Sequence, residues 1–129
     1  MKEKDLQSIL SRLIPAHLDY SAAFELKVSK SPSLPFSAVQ EHQIHALLTA
    51  KQSKVFFKIP DGTMSQSPFD CFMLASVPAY VVIIYYQPRQ PKNFIFIDIE
   101  KFVDERDHSA RKSLIKQRAI EIASFILKA

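Results

Sequence analysis

The sequence predicts an α/β fold in which a mixed central β-sheet is flanked by α-helices. Three observations carry that prediction. Apolar residues recur at helical spacing near the N-terminus, a stretch directly after them alternates as a half-buried strand does, and Ala79 to Tyr86 is apolar on both faces. A strand of the last kind belongs at the centre of a sheet that is covered by helices on both sides.

The elements follow in order. Leu6, Ile9, Leu10, Leu13 and Ile14 form one helical stripe over Lys4 to Ile14, and Pro15 is expected to stop it. In Ala22–Val28, Phe24, Leu26 and Val28 alternate with Ala23, Glu25 and Lys27, which is the strand period. Ser29 to Phe36 holds two prolines and three serines and reads as a loop. Ser37 is placed to cap a helix to about Lys51, with Val39, Ala46, Leu47 and Ala50 inward. Lys54–Ile59 reads as a short strand, and Asp61 to Pro68, with the chain's single glycine, reads as an extended loop. Phe69–Ala75 and Ala79–Tyr86 read as strands joined across Val77-Pro78, and Phe94–Ile99 as another after the turn Gln87–Lys92. A last helix is expected from about Ser109 to Leu127, with Ile115, Ala119, Ile122, Ala123 and Ile126 inward and Arg111, Lys112, Lys116 and Arg118 outward.

At 129 residues, with no repeat or interdomain linker, the chain is expected to form one domain, 1–129. Its 47% hydrophobic and 23% charged residues are the balance of a globule with a real core, to which ten Phe and four Tyr contribute. A lone cysteine, Cys71, excludes an internal disulfide and suits a reducing cytosol; beside Phe72 in a strand it is expected in the core. The charged N-terminus lacks the apolar stretch of a signal peptide, and the longest apolar run falls far short of the roughly 20 residues of a membrane helix. A soluble, cytoplasmic protein without a membrane partner is therefore expected. The net charge of +4 favours polyanions only mildly.

Phe24-Glu25-Leu26-Lys27 is the sharpest local feature. On a strand, Glu25 and Lys27 project from the same face, roughly 7 Å apart along the chain. A carboxylate beside an ammonium suits phosphodiester hydrolysis: the acid holds a hard divalent cation, and the lysine steadies developing negative charge. The same pair is also a common surface pairing on a half-solvated strand. Gln43 interrupts the apolar stripe of the following helix, with Gln40 one turn before it, and an inward amide needs a polar partner. Asp70 opens a strand directly after Pro68-Phe69, while Asp61 in Pro-Asp-Gly reads first as a turn residue. His17, His42, His45 and His108 show no zinc-site spacing.

Together, Phe24-Glu25-Leu26-Lys27, the Ser/Leu/Pro/Phe loop, the helix with His42-Gln43, the block Lys58-Ile59-Pro60-Asp61-Gly62 and Pro68-Phe69-Asp70 resemble Holliday-junction resolvases and related small nucleases of the PD-(D/E)XK superfamily. The matches cover about residues 22–75. The resemblance implies a restriction-endonuclease-like core and Mg²⁺- or Mn²⁺-dependent hydrolysis of DNA, with branched or junction DNA as a candidate substrate and a homodimer as a candidate assembly. Glu25 and Asp70 would be metal ligands, Lys27 the electrostatic group and Gln43 a further site residue, with Gln40 and Asp61 secondary. Glu3 on the first helix would be an added carboxylate.

The motif order departs from the family, where the aspartate block precedes Glu-x-Lys. Either the segments are permuted and Asp70 returns beside Glu25, or Asp19 is the metal aspartate. The stretch from Asp19 to Glu25 is too short for two strands and a turn, which favours Asp70. Lys30, Lys51, Lys54 and Lys58 near the site, and the Arg111, Lys112, Lys116 and Arg118 face, are candidate phosphate contacts. The competing reading is a nuclease-fold protein without catalysis that binds DNA or serves assembly, since the strand Val81–Tyr86 carries no charge.

Overall fold

A computed structural model describes residues 2–58 and 70–129. The elements run α1 (Glu3–His17), β1 (Ala23–Ser29), β2 (Ser33–Pro35), α2 (Glu41–Gln52), β3 (Lys54–Lys58), β4 (Cys71–Ala75), β5 (Ala79–Tyr85), β6 (Asn93–Asp98), α3 (Ile99–His108), β7 (Ser113–Ile115), α4 (Lys116–Ile122) and β8 (Phe125–Lys128). The expected class holds: a mixed α/β fold with helices on both faces of a central mixed sheet. The main sheet has the order β1-β5-β6-β8, with β1 parallel to β5 and the other pairs antiparallel.

Alternation along the strands divides the core into two layers. Val81, Ile83, Ile95 and Ile97 pack on one face with Ile44 and Leu47 of α2, Ile99 and Phe102 of α3, and Ala119 and Ile122 of α4. Leu26, Tyr80, Val82, Ile84, Phe94 and Phe96 pack on the other face with Leu6 and Leu10 of α1. In β5 every residue except Tyr85 is buried, which is why this stretch reads as apolar on both sides. Ala23 belongs to the layer under α2, so Glu25 and Lys27 on the same strand face also lie on the α2 side.

Several boundaries differ from expectation. Pro15 lies inside α1, which runs on to His17; proline removes one donor, yet the next turn closes with Leu18 N–H donating to the Ile14 carbonyl at 2.8 Å. The Ser29–Phe36 loop contains β2, which pairs with β7. Gln40, not Ser37, precedes the first turn of α2, and Ile44 takes the inward position expected of Ala46, which is exposed.

The largest correction is at the C-terminus, where no single helix spans 109–127. Asp98 caps α3 instead, accepting from the N–H groups of Glu100 and Lys101. The chain then returns as β7, turns through the short α4, and adds β8 to the edge of β6. Ile122 is buried under the sheet, whereas Ile126 sits on the 40% exposed side of β8. Their spacing imitates a helical stripe although they belong to different elements.

β3 and β4 form a separate two-stranded ribbon over α2. Its base is tied to the end of α2 by Ser76 N–H to the Ser53 carbonyl and Val77 N–H to the Ala50 carbonyl. β4 (Cys71–Ala75) and β5 (Ala79–Tyr85), the two strands expected to be joined across Val77-Pro78, therefore lie in different sheets. The expected Asp61–Pro68 loop, with Ile59, Pro60, Asp61, Gly62 and Phe69, lies outside the described residues. No described helix is long and apolar enough to cross a membrane.

Candidate active site

Glu25, Lys27 and Gln43 come together on one side of β1. Gln43 Nε2 donates to Glu25 Oε1 at 2.8 Å, and Lys27 Nζ lies 3.6 Å from the same oxygen. Local chain chemistry explains the amide's direction. The Gln40 N–H is an orphan donor at the start of α2, and it donates to Gln43 Oε1 at 3.0 Å. That contact engages the acceptor end of the carboxamide and turns its donor end toward β1. The polar break in the apolar stripe of α2 thus has the partner that its burial demands.

The charged pair is partly withdrawn from water, with side-chain exposures of 19% for Lys27 and 32% for Glu25. Both neighbours converge on Oε1, and among the described residues Oε2 carries no hydrogen bond. One carboxylate oxygen is therefore fixed while the other is available to a ligand.

Glu25 and Gln43 line a cleft of about 610 Å³ between β1, α2 and the ribbon. Ala23 and Phe24 form one side, His42, His45, Ala46 and Thr49 another, and Val55, Phe57 and Leu74 close it from the ribbon. Phe57 stacks on Phe72 across the ribbon, with ring centroids 5.0 Å apart. The two histidines and the phenylalanine wall did not emerge as site residues from the sequence. His42 and His45 stand one helical turn apart, and the alternation of Val55 and Phe57 was the available signal for the wall.

Asp70 is exposed immediately before β4. It is not among the residues that line the cleft. It stands at a bend just beyond the last paired position of the ribbon, Lys58 with Cys71. Among the described residues, no group of three or more His, Cys, Asp or Glu side chains is arranged to hold a metal ion. Glu3 begins α1, which packs on the opposite face of the sheet, and Asp19 is an exposed residue between α1 and β1. Cys71 is exposed rather than in the core, because it shares the ribbon face of Phe56 and Met73, which is turned away from α2 and is exposed along its length.

The chain matches no family model, no curated protein and no solved structure. The site must be read from its own geometry.

The basic residues divide into engaged and open ones. Lys51 Nζ binds Asp98 Oδ1 at 2.7 Å and Glu100 Oε1 at 3.0 Å, joining α2 to α3. Burial works against its charge, but these hydrogen bonds outweigh that and hold its pKa above the ordinary lysine value. Arg118 is held by Glu105 and Glu121, so the expected basic helix face is neutralised there. Arg111 and Lys112 are exposed in the connection before β7 and line a second cleft of about 570 Å³ with Arg106. Lys30, Lys54, Lys58 and Lys116 are exposed, Lys58 directly opposite Cys71 at the outer end of the ribbon.

Proposed function

We propose that this protein is a divalent-metal-dependent endonuclease acting on DNA. The observation that carries the reading is the convergence of Lys27 and Gln43 on one oxygen of Glu25, at the floor of a cleft that leaves the other oxygen open. A surface Glu–Lys pair would need no third partner from a separate helix.

The donor chemistry fits Mg²⁺ or Mn²⁺. Glu25 offers a free carboxylate oxygen, Asp70 before β4 is the second carboxylate this reading calls on, and hard cations of this size take one or two protein carboxylates and keep several waters. Such an ion supplies charge stabilisation at the phosphate and a lowered pKa for attacking water. The chain's own groups do the rest. Lys27 sets a positive charge where a phosphoryl oxygen gains negative charge, and partial burial makes that interaction stronger than in bulk water. Gln43 is a positioning residue that restricts the rotation of the Glu25 carboxylate. Lys30 is exposed after β1 and open to a phosphate, whereas Lys54 and Lys58 alternate with Val55 and Phe57 and so lie on the ribbon face turned away from the cleft.

The test is cleavage of linear, branched and flapped DNA in Mg²⁺ by the wild type, Lys27→Ala and Asp70→Ala. Lys27→Ala is expected to lower the rate by about 10²–10³-fold, the usual effect of removing one preorganised charge-stabilising donor. Cleavage that survives both substitutions rejects the assignment. DNA binding without cleavage, unchanged by chelation, would instead favour a nuclease-fold binding module.

A further inference from the structure

The cleft beside Glu25 holds more than a hydrolytic floor needs. Its ribbon wall of Val55, Phe57 and Leu74 carries one aromatic ring, Phe57, which stacks on Phe72 with their planes 22° apart; the two rings are 45% and 49% exposed. His42, His45 and Thr49 line the cleft from α2, beside the Gln43 amide that is held between Gln40 and Glu25. The space of about 610 Å³ lies within the range of pockets that take small organic ligands. A half-exposed Phe57 ring on one side, polar side chains of α2 opposite and Glu25 between them, with Lys27 Nζ 3.6 Å from the Glu25 carboxylate, are matched to a flat heteroaromatic ring that carries a phosphate.

We propose that the cleft is a nucleobase-stacking site, in which one unpaired base of a DNA strand lies against Phe57 and Phe72 while its backbone passes Glu25 and Lys27. This rests on the nucleic-acid reading above and narrows it to substrates with unstacked nucleotides, such as flaps, gaps and junction arms. Bases within an intact duplex are stacked on each other and offer no free face to the ribbon. Single-stranded sites characteristically combine aromatic platforms with cations that follow the backbone. The other ribbon face supplies an internal control, because Phe56 is 67% exposed yet points away from the Phe57 and Phe72 side.

The test is binding in EDTA, and again in Ca²⁺, of a single-stranded oligonucleotide carrying one 2-aminopurine, whose emission falls when it stacks. Wild type is expected to quench it, Phe57→Leu to abolish the quench and weaken binding about tenfold, and Phe56→Leu to change binding less than twofold. Since the chain has no tryptophan, Phe57→Trp adds a single reporter on a conservative ring. Its emission is expected to be quenched by an unlabelled oligonucleotide and not by the same strand with abasic sites. Unchanged binding and quenching in Phe57→Leu, or an equal loss in Phe56→Leu, would overturn the proposal. Quenching without Mg²⁺-dependent cleavage keeps this site and rejects the nuclease, whereas cleavage without quenching does the reverse.

Discussion

β5 and the β3–β4 ribbon are built from similar residues and meet opposite fates. Ala79–Tyr85 is buried almost throughout between two helical layers, whereas Phe56, Phe57, Phe72 and Met73 of the ribbon are all substantially exposed. Both carry runs of large apolar side chains, although β3 also has Lys54 and Lys58 at its ends. The difference is whether neighbours exist on both sides: β5 has strands on both flanks and helices above and below, while among the described residues the ribbon has α2 on one side only. Apolar surface stabilises a fold when it leaves water, and apolar surface that stays in contact with water is free to meet a ligand.

The most direct way to break that comparison is a matched pair of truncations. Phe96→Ala, at a fully buried position between Phe24, Tyr80 and Phe125, should cost about 3–5 kcal/mol in urea denaturation. Phe56→Ala on the ribbon should cost within about 0.5 kcal/mol. Equal losses would mean that the ribbon is as much a part of the core as β5.

At the rim of the sheet an intermediate effect is expected. Asp98→Ala removes the cap of α3 and leaves Lys51 with Glu100 alone, which should cost about 1–2 kcal/mol in the same measurement. A smaller loss than for Asp98→Ala is expected for Arg118→Ala in the same measurement, because the arginine is about half exposed and solvent screens its pairing, even though it grips Glu105 through two hydrogen bonds.

The smallest effect belongs to His108 at the end of α3. A hydrogen bond from its ring to the Asp104 carbonyl, reinforced by the Asp104 carboxylate, raises its pKa above the ordinary value of about 6.5. The raised folded value favours the native state below pH 6.5, and that contribution disappears as the pH climbs through the folded pKa. An NMR titration should place the His108 midpoint above the ordinary value of about 6.5, and Asp104→Asn should lower it.

The candidate site divides in the same way as the fold. Same-face placement of Glu25 and Lys27 was legible because a strand's period is two, and the polar break at Gln43 because an inward amide must find a partner. The aromatic wall was not legible. Phe57 and Phe72 look like core residues until the ribbon is seen to stand outside the main sheet. The exposed Cys71 was misjudged for that same reason. Lys51 and Arg118 read as open cations because their carboxylate partners come from other elements, Asp98 and Glu100 for the one and Glu105 for the other.

By itself the sequence determined the α/β class, the central strand Ala79–Tyr85 and the carboxylate–lysine face of β1, all of which depend on periodicity within one segment. Tertiary structure alone decided how 99–128 divides into α3, β7, α4 and β8, since Ile122 and Ile126 keep helical spacing while packing in different elements. It also decided that Gln43 meets Glu25 across 18 residues of chain, and that the ribbon closes a cleft over them. Local patterns record which way a side chain points; which surface it meets depends on how distant segments exclude water together.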